Sequence, residues 1–271
     1  MQGWKTIIPT AQKVSYIQQL LKVGFDTIDF GSFVSEKAVP QMADTKEVIR
    51  NLSLENTRSK LLAIVANERG AREAGIFETI SYLGYPFSIS PTFLSRNTRS
   101  TIASSLETVR TIRDLCLLNK QEPVIYISMA FGNPYGDPYE ESLVLEWVSK
   151  LAEEGIKIIS LADTVGLATP QQVGSLMAKV VGGFPEVELG VHLHSTHLLW
   201  KEKVDAAFKA GCTRFDGALM GVGGCPMAND DLVGNMDTSL LIEYFGQRDL
   251  CGDLDQDALL QSIQMARKIF T

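Results

Sequence analysis

Short apolar runs rich in β-branched residues alternate with longer amphipathic stretches from one end of the chain to the other. The runs predict strands over residues 25–30, 60–66, 76–82, 124–131, 156–161, 187–193 and 213–219. Most are apolar nearly throughout, the pattern of strands buried on both faces of a parallel sheet. Helices are expected between them. Thr10 can cap one that carries Val14, Ile17, Leu20 and Leu21 on one face, with Gly24 closing it. Thr98 or Ser100 can open another that runs through Leu118. Thr169-Pro170 places proline in a first helical turn, where its missing N–H is not needed. A last helix is expected over residues 255–270.

The repeating unit is strand, loop, helix, and the crossovers have the length of βαβ units. No low-complexity segment or composition break marks a linker, so residues 1–271 are expected to form a single (β/α) barrel domain of the α/β class. Seven strands are one short of the eight that close a TIM barrel. The chain opens on a helix approach, Ile7-Ile8-Pro9-Thr10, which would put a first strand ahead of Met1. An open doubly wound sheet, a seven-stranded variant and a TIM (β/α)8 barrel with strand 1 missing from this chain all fit the pattern. The motifs favour the last.

Composition narrows the function classes. The formal net charge of −7 argues against nucleic acid, whose phosphates need clustered positive charge. It also argues against an anionic membrane surface, but leaves room for a local basic pocket. No apolar run approaches the roughly 18 residues of a membrane span. The four cysteines show no pairing spacing, which suits a reducing cytoplasm.

The sharpest chemical signal is Val191-His192-Leu193-His194. Alternate residues of a strand face the same side, about 6–7 Å apart. Both imidazoles could therefore reach one cation at a strand end, where barrel active sites lie. The bland reading is a pair of histidines hydrogen-bonded near the barrel mouth. The chain has three histidines, and two of them occupy these positions, which favours metal. Imidazole with oxygen ligands suits Mg or Mn as well as Zn or Co. Asn235 is a candidate oxygen ligand, and a carboxylate from the first strand would be another. His197, at a helix start, reads as a cap or surface residue.

Gly221-Val222-Gly223-Gly224-Cys225-Pro226 follows the last strand. Its glycines allow close backbone approach to a ligand, but neither Walker spacing nor a following lysine is present. Cys116 and Cys212 read as buried and inert. Cys225, flanked by glycine and proline, reads instead as a catalytic thiol on a glycine-hinged lid, able to exchange a proton with substrate.

Together these residues resemble the 3-hydroxy-3-methylglutaryl-CoA lyase family, within the metal-dependent lyase and Claisen-condensing TIM barrels. The matching stretches are Ser32-Phe33-Val34-Ser35 with Val39-Pro40-Gln41-Met42, Leu161-Ala162-Asp163-Thr164-Val165-Gly166 with Thr169-Pro170, the histidine pair and the Gly-Gly-Cys-Pro loop. The resemblance implies cleavage of 3-hydroxy-3-methylglutaryl-CoA to acetyl-CoA and acetoacetate, as in leucine breakdown. It implies a divalent cation on His192, His194 and Asn235, and Cys225 as the lid thiol. It places Asp163 and Thr164 at the acyl pocket, Ser32 in a substrate-binding stretch and Asn97 near the coenzyme A arm.

Three departures stand out. Ser195 replaces an aspartate after the second histidine, and Asp29 replaces a glutamate. An Arg-Asp pair of the family would fall ahead of Gln2, so residues 1–271 are expected to turn over weakly. The alternatives are a condensing synthase joining an acyl-CoA to a 2-oxoacid and a non-catalytic acyl-CoA-binding barrel. The expected partner is the acyl-CoA substrate, with a homodimer among the expected assemblies.

Overall fold

The computed structural model describes residues 1–195, 198–223 and 234–270. Seven strands form one sheet in chain order: β1 (Thr27–Phe33), β2 (Lys60–Val65), β3 (Ile80–Ser88), β4 (Glu122–Ser128), β5 (Ile158–Ala162), β6 (Glu188–His192) and β7 (Arg214–Phe215). Every neighbouring pair is parallel. Helices carry the chain back between strands, as parallel pairing requires. They are α1 (Thr10–Val23), α2 (Thr45–Arg50), α3 (Glu68–Gly75), α4 (Pro91–Asn97), α5 (Ile102–Asn119), α6 (Glu141–Glu153), α7 (Pro170–Gly183), α8 (Trp200–Lys209), α9 (Thr238–Gly246) and α10 (Gln256–Ile269). Among the described residues β1 and β7 do not pair with each other, so the sheet is a TIM barrel with one strand missing.

The apolar layers follow from this winding. One face of the sheet packs Leu61, Ala63, Leu83, Ile125 and Ile159 against Ala71, Ile112, Val148 and Val173 of the helices. The other face buries Leu62, Val124 and Ile158 inside the barrel, with Tyr82 and Tyr126 beside them. A third cluster joins α1 to α10 through Tyr16, Ala266 and Phe270 and includes Ile8. At the N-terminal rim, Lys60 Nζ bonds Tyr82 Oη at 3.1 Å and Arg214 pairs with Glu188 at 3.1 Å. No helix among the described residues is long and apolar enough to cross a membrane.

Several local expectations hold. Gly24 ends α1 in the left-handed conformation at φ 83°, and Thr169 caps α7 in a capping box with Gln172. Others are corrected. Thr10 lies inside α1 and makes no cap; its hydroxyl donates to Asp44 at 2.7 Å instead. Thr101, not Thr98 or Ser100, caps α5, because α4 occupies the segment up to Asn97. The third strand lies later than expected. Residues 76–79 leave α3, and β3 runs on through Gly84 and Pro86. The β2–β3 ladder ends at Ile64↔Gly84, so at Pro86 only β4 flanks the strand, and a residue without N–H is accommodated.

A buried side chain fastens the N-terminal segment. Gln41, 2% exposed, accepts from Ile8 N at 2.9 Å and donates to Trp4 O at 3.1 Å and Thr6 O at 2.8 Å. Lys13 donates to the Gln41 carbonyl and pairs with Asp44 at 2.6 Å.

Candidate metal centre and strand-end site

The β5–β6 ladder ends at Ala162↔His192, so His192 is the last residue of its strand and His194 lies just beyond. Their imidazole centroids are 5.3 Å apart. That separation is short enough for both rings to reach one cation. Asn235 lies opposite His194 in an antiparallel bridge. Its Nδ2 donates to Val222 O at 3.1 Å, which leaves the amide Oδ1 as the atom suited to an oxygen ligand. Among the described residues no group of three or more His, Cys, Asp or Glu side chains is placed to hold a metal. His192, His194 and Asn235 lie together beyond β6, and two imidazoles with an amide oxygen are donor types that a divalent cation accepts.

The surroundings of His192 are acidic. Its Nδ1, buried and without a hydrogen-bond partner, stands 3.4 Å from Asp216 Oδ2, which is also buried and unbonded. Tyr126 meets His192 edge-on at 5.8 Å. Asp29 shares this interior: water reaches it, but enclosure by protein pushes its carboxyl up to about 7, with Asp216 adding to the rise and His192 opposing it.

Ser32, Asp163 and Thr164 lie at or just past the ends of their strands, whereas Asn97 lies at the end of a helix. Asp163, just past β5, is 2% exposed, and its carboxylate is fully engaged rather than open to a pocket. Oδ2 pairs with Lys203 Nζ at 2.9 Å and Oδ1 accepts from Ala168 N at 3.1 Å. Thr164 Oγ1 accepts from Met129 N at 3.0 Å, holding Met129 at φ 61°. Ser32, near the end of β1, is 2% exposed with its Oγ unbonded. Asn97 ends α4, and its Nδ2 is likewise buried without a partner. Cys225 and His197 lie outside the described residues.

Reading the sequence missed Asp216 and Lys203. For Lys203 a signal was available. It shares the spacing of Trp200, Val204 and Ala207, the stripe α8 turns toward the core, and a charged residue there needs a partner.

Parallel strands joined by helices, with polar side chains gathered where the strands end, define the TIM-barrel class. The profile of the HMGL-like family matches residues 1–265. The chain is 30% identical over 265 residues to hydroxymethylglutaryl-CoA lyase of Bacillus subtilis, covering 97% of this chain and 87% of that protein. It is also 30% identical over 273 residues to (R)-citramalyl-CoA lyase of Chloroflexus aurantiacus, covering 96% and 84%. Among solved structures, an HMG-CoA lyase from Acinetobacter baumannii in complex with coenzyme A and 3-methylmalate superposes with a TM-score of 0.90 at 32% identity, covering 99% of this chain and 87% of that one. The chain belongs to the HMGL-like family, whose members of this type are carbon–carbon lyases. Lyases of the family generally depend on a divalent metal.

Proposed function

We propose that this chain cleaves 3-hydroxy-3-methylglutaryl-CoA to acetyl-CoA and acetoacetate, with Mg or Mn held by His192, His194 and Asn235. The observation that carries the reading is the 5.3 Å imidazole pair with Asn235 bridged to His194. When bound, such a cation supplies Lewis-acid polarisation of the substrate's hydroxyl and carbonyl oxygens. In the reaction the C3 hydroxyl gives its proton to a solvent base, the C2–C3 bond breaks to a ketone, and an acetyl-CoA enolate takes a proton at C2. Cys225 is the proposed donor of that proton.

The protein's other residues bind and orient. The unbonded Ser32 hydroxyl and Asn97 amide support a role in substrate binding, because buried polar groups are ordinarily paired. An open groove at the α4–α5 junction, lined by Ser95, Arg99 and Ser100, offers one cationic side chain to the phosphates of a coenzyme A arm. The coenzyme A in the Acinetobacter structure supports an acyl-CoA as the substrate class here. Asp163 and Thr164 act at the site by fixing the ends of the strands beside it.

Equal identity to a citramalyl-CoA lyase favours citramalyl-CoA as the second reading. Both substrates carry a tertiary alcohol at C3 and differ by one methylene before the distal carboxylate. Acetyl-CoA release from each, measured side by side with Mn2+, decides between them. Calorimetric Mn2+ titration of the wild type, His192→Ala and His194→Ala tests the site itself; affinity unchanged by either substitution ends the reading.

A further inference from the structure

The β5–β6 ladder ends at His192, yet the backbone of His194 is held as firmly as a ladder residue. Two residues earlier, Asp163 N donates to His192 O at 3.0 Å, a backbone bond between the two strand ends. At His194 the equivalent donor is a side chain. Lys203 Nζ reaches back from the first turn of α8 and bonds His194 O at 2.9 Å. The same ammonium pairs with Asp163 Oδ2 at 2.9 Å, with both side chains 2% exposed. Ala168 N–H takes the other carboxylate oxygen at 3.1 Å. On its opposite flank, the His194 segment meets the strand-like stretch of Gly234, Asn235 and Met236, with Met236 N donating to Leu193 O at 3.3 Å.

A buried lysine with a single carboxylate partner is an unusual device for stability alone, since a well-packed apolar side chain often serves as well or better. What an apolar residue cannot do is donate to a backbone carbonyl. We propose that Lys203 is a positioning residue for the histidine pair. Its ammonium, anchored by Asp163, carries the β5–β6 bonding on from His192 to His194 and so fixes the spacing of the two histidines. Asp163 then acts through Lys203 and touches no substrate. This rests on the reading of both histidines as metal ligands.

The test uses Co2+, whose d–d absorption reports coordination geometry as well as occupancy. Lys203→Met is expected to weaken Co2+ binding at least about tenfold and to alter the band, as loss of an outer-shell anchor does. Lys203→Arg, which keeps a donor, is expected to restore part of both. Asp163→Asn, which keeps the shape and frees the lysine, is expected to shift the band in the same direction and serves if Lys203→Met does not fold. Lys13→Met is the control, because it breaks another buried pair, with Asp44, away from the site. It should lower the melting temperature and leave Co2+ affinity and spectrum unchanged. Wild-type affinity and spectrum in both Lys203→Met and Asp163→Asn, or the same loss in Lys13→Met, overturn the proposal. A wild type that binds no Co2+, or a His194→Ala variant that binds it as tightly, overturns the ligand assignment itself and the proposal with it.

Discussion

The Asp216 carboxylate stands 3.4 Å from His192 Nδ1, and neither atom has a hydrogen-bond partner. A carboxylate at that nitrogen favours the tautomer that leaves Nε2 bare for a cation. Asp216→Asn should therefore weaken Mn2+ or Co2+ binding by about 10- to 100-fold. Calorimetric titration reads the change directly, and an unaltered dissociation constant would remove Asp216 from the site.

Ser32 separates stability from binding. Its buried, unbonded hydroxyl contributes no hydrogen bond to the fold, so Ser32→Ala should leave urea stability equal or raise it by about 1 kcal/mol. If substrate fills that bonding capacity, the same variant should raise KM for the acyl-CoA several-fold. A clear loss of stability with unchanged KM would assign Ser32 to packing instead.

Gln41 is expected to behave in the opposite way. Gln41→Ala strands three backbone groups of the N-terminal segment, at buried Ile8, half-buried Trp4 and exposed Thr6, and removes the buried amide that ties them. At roughly 1–3 kcal/mol for each group left unpaired, a net loss of about 3 kcal/mol is expected after partial hydration. Equilibrium urea unfolding measures it, and a loss below about 1 kcal/mol would mean water replaces all three bonds.

Burial pushes the Cys116 and Cys212 thiols up to about 12 each. The fold thus favours the protonated thiol. Its contribution is complete below the ordinary thiol range near pH 8.5–9 and is lost as pH climbs from there toward 12. The melting temperature should fall over that window, and Cys116→Ala with Cys212→Ala should make the fall shallower. An identical slope in the double variant would point to other groups, such as Tyr139, also raised to about 12 by burial.

The order of strands and helices was legible because a parallel barrel writes itself as uninterrupted apolar runs, and residues 156–161 and 187–193 bracket β5 and β6 closely. The third strand was not, since Gly84 and Pro86 look like breakers until it is known that a side chain at Gly84 would collide with Ile64 and that only β4 flanks Pro86. The histidine pair was legible from spacing alone. Its surroundings were not: Lys203 and Asp163 are 40 residues apart, and nothing in either neighbourhood names the other. Asp163 shows the same limit, since its motif draws attention to the residue without revealing that a lysine occupies its carboxylate.

Because all seven strands run in one direction, the molecule has a working end and a supporting end. Substitutions among the ties at Lys60, Tyr82, Glu188 and Arg214 are expected to act on stability, whereas on the proposed function those beyond the last residue of each strand act on substrate handling. Selection can thus retune substrate choice at one pole of the barrel while the other stays untouched. A family that includes lyases for two neighbouring acyl-CoA esters at equal distance from this chain is what such a division of labour leads one to expect.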